Sequence, residues 1–243
     1  MHGFPTASWD WHSLWPELTA RWRIIAPDMI GYGFSAKPRH YGYSLNDQAD
    51  LYENLVKTLS VRRVHLLAHD VGDSVAQELL ARQTLDIASV CLLNGGILPE
   101  AHRATRIQKL LAGPLGPLIG RFLSERRFRT SFARVFAVKP SEAELADFWR
   151  LIAFNDGRRI AHKLIGYIAE RRKYRDRWVG ALRTTIPLRV INGPEDPISG
   201  AHMMARLREE VPGVDIVSLP GIGHYPQVED PAAVLQAYLE FRA

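Results

Sequence analysis

The sequence predicts an α/β fold with a mostly parallel sheet and helices on both of its faces. Short apolar runs alternate with segments whose apolar residues recur at helical spacing, which indicates strand-helix-strand units with right-handed crossovers. One run, Val64–Ala68, changes directly into a helical pattern at Asp70. A long central segment contains only helical signals. We therefore expect a helical cap (lid) over residues 99–185, inserted into an α/β core of residues 1–98 and 186–243.

The composition is that of an ordinary globular protein, with 47% hydrophobic and 23% charged residues in a length of 243. The single cysteine, Cys91, excludes an internal disulfide and lies in an apolar run, which predicts a buried thiol and is compatible with a cytoplasmic location. The opening residues MHGFP do not have the pattern of a signal peptide. The longest apolar stretch, Leu110–Leu123, is too short to span a membrane and favours a mobile loop over a pocket. Contact with a membrane surface and the lining of an entrance are the alternatives.

The formal charge of +5 is unevenly distributed, because residues 99–185 contain 19 Lys and Arg against 8 Asp and Glu. The run Arg171–Arg177 favours a solvated helix face, since acidic residues are interleaved with the basic ones. A peripheral contact between this basic cap and a membrane surface is the other interpretation. No nucleic-acid motif accompanies the run, so we expect no nucleic-acid partner.

The chain opens with a His-Gly-x-Pro run that contains His2, Gly3 and Pro5. Such a run is typical of an oxyanion loop, in which the glycine lets the backbone approach the reacting atoms. The N–H of Phe4 is then expected to point into the site.

Apolar spacing and capping residues predict the other elements. Ser44 and Asp47, for example, have the spacing of an N-cap and its third helical residue. The predicted strands are Arg23–Ala26, Ala88–Leu93, Pro187–Ile191 and Val214–Leu219, and the predicted helices are Ser44–Ser60, Ser141–Phe154, Arg158–Arg172, one through Met203 and Leu207, and one beginning at Asp230 and Pro231.

Asp70 stands at the change from strand to helix, in the sequence AHDVGD. Ala68 and Gly72 lie two residues to either side of it, and this spacing of small residues is typical of a nucleophile elbow, with Asp in place of the usual Ser. A carboxylate at a helix N-terminus should stay ionised at neutral pH and could attack an electrophilic carbon. Taken alone, the position is equally consistent with a helix N-cap.

Two further polar residues follow the last two predicted strands. Asp196 comes after the first of these strands, and His224 comes after the second, within Gly-x-Gly-His. Open α/β sheets place their sites at the carboxyl ends of strands. The order of Asp70, Asp196 and His224 therefore predicts a triad of nucleophile, acid and base.

The motifs HGFP, AHDVGD, GPEDP and GHYPQVEDP resemble the α/β-hydrolase superfamily, specifically its Asp-nucleophile branch of epoxide hydrolases and haloalkane dehalogenases. Longer stretches such as HDVGDSVAQELL are similar to the mesoderm-specific transcript proteins. The resemblance implies that Asp70 forms an alkyl ester and that His224, held by Asp196, activates the water that hydrolyses it. It also implies an oxyanion hole formed by the N–H groups of Phe4 and Val71, and no metal or organic cofactor.

Departures from this branch favour an epoxide over a haloalkane. Dehalogenases of this kind usually have donors to the leaving halide at the positions that Val71 and Phe4 occupy here. Epoxide opening needs acid donors from the cap, where Tyr167 and Tyr174 are the only tyrosines. His69 matches the His-Asp pair of epoxide hydrolases and is expected to shape the elbow.

The sequence thus predicts a hydrolase for a small, lipophilic substrate, most similar to an epoxide hydrolase. A haloalkane dehalogenase is the alternative, and a non-catalytic ligand-binding or signalling protein on the same fold is a third hypothesis. The resemblance also implies that N-terminal strands are missing, because the strand that leads into His-Gly is central in this family. We therefore expect an empty slot between the segments at Arg23 and Val64, and poor folding of a chain that begins at Met1.

Overall fold

The computed structural model describes all residues from Met1 to Ala243 and contains one parallel sheet of four strands. The strands lie in the order β1 (Arg63–His69), β2 (Asp86–Leu93), β3 (Leu188–Asn192) and β4 (Asp215–Ser218). Each agrees within two residues with its prediction. Because all four run in the same direction, their carboxyl ends lie along one edge of the sheet, where loops can bring polar residues together.

Helices account for most of the other regular structure, and none of them has the length and apolar character needed to cross a membrane. They are α1 (Trp15–Thr19), α2 (Leu45–Thr58), α3 (Val71–Arg82), α4 (Arg106–Ala112), α5 (Gly116–Arg121), α6 (Glu125–Phe132), α7 (Glu142–Ala153), α8 (Ala161–Leu164), α9 (Tyr167–Lys173), α10 (Arg175–Ala181), α11 (Ala201–Glu210), α12 (Pro226–Glu229) and α13 (Pro231–Arg242). Three short 3-10 segments add Ser8–Trp11, Ala133–Val135 and Phe154–Ile160.

Helices cover both faces of the sheet, as predicted. Successive side chains of a strand point to opposite faces, so Val90 and Leu92 of β2 face one layer and Cys91 and Leu93 face the other. The first layer contains α2, α3, α10 and α11, and the second contains α1 and α13. Cys91 is a fully buried free thiol, as expected from its apolar run.

Between β2 and β3 the chain forms only helices and 3-10 segments. The predicted helix at Ser141 begins there with a capping box, because Ser141 and Glu144 bond each other's backbone N–H groups. The single helix predicted over Arg158–Arg172 is wrong. The chain forms α8 and α9 instead and breaks at Gly166, a residue type that interrupts helices readily.

The strand predicted at Arg23–Ala26 is also wrong, because this segment pairs with no other strand. A strand requires a neighbour at about 4.8 Å, and here an apolar groove of about 420 Å³ is lined by this segment and by one edge of β1. Met1 forms hydrogen bonds with the end of that edge. The amino group of Met1 donates to the carbonyl oxygen of Leu67 at 2.6 Å, and the N–H of His69 donates to the carbonyl oxygen of Met1 at 3.0 Å. This is the pattern of a parallel bridge.

Candidate active site

Asp70 occupies a sharp turn between β1 and α3. Its φ of 48° and ψ of −105° are unusual for a residue with a side chain, and such strain is typical of a nucleophile elbow. The turn requires glycine at Gly72, because a Cβ there would lie 2.6 Å from the carbonyl oxygen of Met1. The alternative role of Asp70 as an N-cap is excluded, since its side chain accepts no capping hydrogen bond from α3.

The loop of residues 2–5 runs past this elbow, as its sequence predicts. The N–H of Phe4 donates to Asp70 Oδ2 at 3.1 Å. Gly3 permits the approach, because a Cβ on it would lie 2.9 Å from the Cβ of Asp70. Val71, the other predicted donor, is the first residue of α3, where backbone N–H groups have no partner within the helix.

His224 and Asp196 form a buried hydrogen-bonded pair. His224 Nδ1 donates to Asp196 Oδ2 over 2.8 Å. The same carboxylate accepts from Ser199 Oγ at 2.6 Å, from Asn94 Nδ2 at 3.0 Å and from the N–H of Ile198 at 2.7 Å. These bonds fix the carboxylate, and the carboxylate in turn orients the imidazole ring.

Three pKa shifts define the charges in this site. Burial alone would raise the pKa of Asp196, but the neighbouring His224 and the hydrogen bonds lower it to about 2. Burial also acts to raise the pKa of Asp70, and Arg171, followed by His224, holds that pKa below its usual value. For His224, burial acts to lower the pKa and Asp196 raises it to about 8. At neutral pH the free protein therefore contains two carboxylates and a largely protonated imidazole.

Arg171 contacts Asp70 and is therefore an exception to the solvated face expected of its basic run, in which Arg172 and Lys173 are exposed. The side chain is only 2% exposed. Its Nη2 donates to the carbonyl oxygen of Asp70 at 2.7 Å and lies 3.2 Å from Oδ1, and its Nε donates to Ser74 Oγ at 2.7 Å. The guanidinium stacks 4.5 Å from the centre of the Tyr167 ring, and its Nη1 has no hydrogen-bond partner.

One predicted tyrosine and one unpredicted tyrosine are buried near this group. Tyr167 is 2% exposed, and its hydroxyl accepts from Gln108 Nε2 at 3.0 Å but donates to no protein atom. Tyr32 is 4% exposed, and burial, Tyr167 and the charge of Asp70 raise its pKa well above the usual value. Tyr174, the other predicted donor, lies apart from them and packs against Trp178, with 5.2 Å between the ring centres.

Two buried histidines, His2 and His69, and the partly buried His102 lie near the elbow without charge. Burial lowers the pKa of His69 to about 3, that of His2 to about 4 and that of His102 to about 3. His69 Nε2 donates to the carbonyl oxygen of His224 at 2.8 Å, and His2 Nε2 accepts from the N–H of Met29 at 2.9 Å. These two rings hold the elbow and the loop in place, as expected for His69. Both ring nitrogens of His102 lack partners.

An apolar cavity of about 80 Å³ lies beside His224. The loop residues Phe4 and Pro5 form part of its wall, and Leu111 of α4 and Phe128 of α6 contribute from the helical insertion. The cavity is suited to a small, lipophilic molecule. No three His, Cys, Asp or Glu side chains come together in a way that could hold a metal ion.

The model of the alpha/beta hydrolase family matches residues 1–237 of this chain. The chain belongs to that family. The mesoderm-specific transcript protein of Mus musculus is 45% identical to this alpha/beta hydrolase over 99% of the chain and 77% of the relative. LipZ of Mycobacterium tuberculosis, a protein named as a hydrolase, is 41% identical over 98% of the chain and 85% of the relative.

A solved structure gives the same fold. The haloalkane dehalogenase DbeA-M1 loop variant from Bradyrhizobium elkanii superposes on this alpha/beta hydrolase with a TM-score of 0.82, over 99% of this chain and 86% of that one. The two sequences are 23% identical, so the likeness extends to the fold alone.

Three contributors to the site of this alpha/beta hydrolase were not predicted from the sequence: Arg171, Tyr32 and Asn94. Asn94 carries a usable signal, because it is a polar residue at the carboxyl end of a buried strand, as Asp196 is. Tyr32 lies in a glycine-rich loop whose path is not apparent from the sequence. Arg171 is one of several arginines in a row, and nothing in that pattern indicates which of them is buried.

Proposed function

We propose that this alpha/beta hydrolase opens epoxides by forming an alkyl ester on Asp70, which a water activated by His224 then hydrolyses. The observation that carries this proposal is the position of the Asp70 carboxylate, which is buried between the Phe4 N–H and Arg171. Arg171, followed by His224, lowers its pKa and so favours the ionised form. In this proposal the helices of residues 99–185 form a cap that encloses the substrate.

The first step uses the oxygen of Asp70 that the loop does not hold. Oδ2 accepts from the Phe4 N–H, so Oδ1 attacks an epoxide carbon and the carbon–oxygen bond of the ring breaks. The released oxygen takes a proton from a tyrosine. Tyr167 supports this role, because its hydroxyl proton has no acceptor in the protein and burial raises its pKa, which keeps the proton in place. Tyr32 is the second donor.

Formation of the ester also prepares the base. The negative charge of Asp70 helps to raise the pKa of His224, and alkylation removes that charge. The pKa of His224 then falls, so a larger fraction of the imidazole is neutral and can accept a proton from water. The hydroxide attacks the Asp70 carboxyl carbon, the bond to the alkyl oxygen breaks, and that oxygen takes the proton from His224. The new carboxyl group of Asp70 then returns a proton to the tyrosinate left by the first step. The products are a diol, the Asp70 carboxylate and a neutral tyrosine.

Arg171 assists the second step in this mechanism. It lies beside Oδ1, the atom that becomes the ester oxygen and leaves as an alkoxide when the tetrahedral intermediate collapses. A guanidinium at this point stabilises the developing negative charge. Its bonds to Ser74 and to the carbonyl oxygen of Asp70 keep it in position throughout the cycle.

Haloalkane dehalogenation is the second candidate, and one observation favours it. The unpartnered Nη1 of Arg171 is a buried, charged donor that could hold a leaving halide, although Phe4 and Val71 offer none through their side chains. Both candidate reactions pass through an ester on Asp70. The ester from an epoxide contains the whole epoxide, and the ester from a haloalkane contains the alkyl group without its halide.

The intact mass of the His224→Gln variant distinguishes the two reactions after separate incubation with epoxides and haloalkanes. Loss of the base leaves the attack possible and blocks hydrolysis, so the ester accumulates. A mass gain equal to a whole epoxide, absent when Asp70→Asn is added, is expected. A gain equal to an alkyl group without its halide would make dehalogenation the reaction. Absence of any adduct on the folded variant would contradict both and favour a non-catalytic ligand-binding protein.

The two tyrosines provide a matched comparison. Tyr167→Phe and Tyr32→Phe should each slow the formation of the ester in the His224→Gln background by about 10²-fold or more, as expected for the loss of a general acid. Tyr174→Phe is the control and should leave the rate unchanged, because Tyr174 packs against Trp178 away from the site.

A further inference from the structure

Helix α5 and the residues at its two ends expose three large apolar side chains. Contacts of α5 with the rest of the insertion are made by Gly116 and Gly120, which are buried. A Cβ on Gly116 would lie 2.0 Å from the Leu111 carbonyl oxygen, and a Cβ on Gly120 would lie 2.6 Å from the Arg158 carbonyl oxygen. Larger residues are excluded at these two positions. Of the apolar side chains of α5, Ile119 packs against the core and Leu118 is exposed.

The outward face is made of large apolar residues. Leu115, Leu118 and Phe122 lie three and four positions apart, which places them on one side of the helix, and they are 64%, 54% and 62% exposed. Leu110 of the adjacent α4 is 54% exposed. Ten large hydrophobic residues of the chain are at least 40% exposed, and four of them lie within residues 110–122. The exposed apolar side chains are therefore concentrated in this patch.

The segment of the chain that carries this apolar patch is rich in cations. Residues 103–139 contain nine Lys and Arg and a single acidic residue, Glu125, which pairs with Arg129. The other eight cations make no ion pair and are exposed. They are Arg103, Arg106, Lys109, Arg121, Arg126, Arg127, Arg134 and Lys139.

We propose that this lipid-facing surface, formed by Leu110, Leu115, Leu118 and Phe122 with the eight unpaired cations, docks the protein onto an anionic lipid bilayer. The cations bind lipid headgroups, and the apolar side chains enter the interface between headgroups and acyl chains. A second copy of the chain is a poor occupant, because a symmetric contact would place two strongly basic patches against each other. A nucleic acid would match the charge but would leave the leucines without an apolar partner.

The lipid-facing surface lies next to the cavity beside His224. Leu111 of α4 and Leu123, which directly follows Phe122, line the cavity beside His224. A lipophilic molecule dissolved in the bilayer would therefore meet the cavity wall at the docked surface. This delivery rests on the proposed function, whereas the docking itself does not depend on the reaction.

Flotation with phosphatidylcholine vesicles, with and without phosphatidylserine, tests the docking. Phosphatidylserine should strengthen binding at least about tenfold, since each cation near an anionic surface contributes about 1 kcal/mol, or about a factor of five. Raising the salt from about 0.1 M to 1 M should abolish the gain, because the screening length falls from about 10 Å to 3 Å. The double variant Leu118→Ser/Phe122→Ser should bind at least about tenfold more weakly.

Leu51→Ser is the matched control, because Leu51 is 43% exposed on α2, outside the patch, and its loss should leave vesicle binding unchanged. Equal binding to both vesicle types, or no binding to either, would overturn the proposal. The proposal would also be overturned if light scattering found the wild type to be a dimer and the double variant a monomer, since the patch would then bind a second copy. RNA binding that survives the double variant, without vesicle binding, would assign the surface to nucleic acid. None of these readouts depends on an Asp70 ester, so failure here leaves the reaction untouched.

Discussion

Replacement of Arg171 by Met should lower the free energy of unfolding by about 3–5 kcal/mol at neutral pH, because it leaves a buried carboxylate without its counter-ion. Arg171 Nη2 and Asp70 Oδ1 are 3.2 Å apart, and both side chains are at most 3% exposed. At an effective dielectric constant of about 20, two unit charges at this distance attract by about 5 kcal/mol, which sets the upper end of the range. Urea denaturation of the purified variant measures the loss.

The loss should also depend on pH. In the wild type, Arg171 lowers the pKa of Asp70, so the pair contributes stability above the unfolded pKa of about 3.9, and this contribution disappears as the pH falls through the lower folded value. In the Arg171→Met variant, burial raises the pKa of Asp70 instead. The variant then loses stability as the pH rises above about 4, so the gap between the two proteins should widen towards neutral pH.

A double-mutant cycle isolates the ion pair from the other bonds of Arg171. The bonds to Ser74 and to the carbonyl oxygen of Asp70 are lost in both backgrounds, so they cancel when Arg171→Met is measured with and without Asp70→Asn. We expect a coupling free energy of about 2–3 kcal/mol. A coupling below about 0.5 kcal/mol would contradict a strong ion pair between Arg171 and Asp70. The exposed neighbour Arg172 serves as the control, and Arg172→Met should change stability by less than about 0.5 kcal/mol.

Three further predictions concern neighbouring groups. In an NMR titration the His224 imidazole should take up its proton near pH 8, and Asp70→Asn should lower that midpoint, because it removes a negative charge as esterification would. Asp73→Asn should raise the melting temperature at pH 8 but not at pH 4, because burial raises the pKa of Asp73, so the wild type loses stability as the pH rises above the unfolded value; an unchanged melting temperature at pH 8 would contradict this. Tyr225→Phe removes a 3.1 Å bond from Tyr225 to the Phe4 carbonyl oxygen and should destabilise the fold by about 1 kcal/mol in urea denaturation.

Local signals predicted the framework of the molecule well. Ser44, Ser141 and Asp230 each cap the helix that the sequence assigns to them, because a capping side chain acts on backbone groups within three residues. The same applies to Asp70, where a strand end, two small residues and a helix start are all encoded within a few positions. Asp196 and His224 could be placed together because carboxyl ends of neighbouring parallel strands share one edge.

The errors arose where the outcome depends on distant partners. The residues of Arg23–Ala26 have a reasonable strand composition, but a strand forms only where a neighbour supplies hydrogen bonds, and no strand pairs with this segment. For Arg171, the deciding contacts come from Asp70 and Ser74, about a hundred positions earlier in the chain. A basic run therefore predicts that most of its side chains are exposed, but it does not indicate which one is buried.

In the stretch Leu110–Leu123, by contrast with the buried charge of Arg171, apolar side chains are exposed. Leu111 and Leu123 line the cavity, as expected for a segment over a pocket. The predicted loop is wrong, because α4 ends at Ala112 and α5 covers Gly116–Arg121. Between them, Leu115, Leu118 and Phe122 are exposed, because the glycines of α5 take the inner side. Glycine spacing of four, between apolar residues spaced three and four apart, is a signal that sequence analysis could have used. It predicts close backbone packing on one side and, by geometry alone, an exposed apolar face on the other.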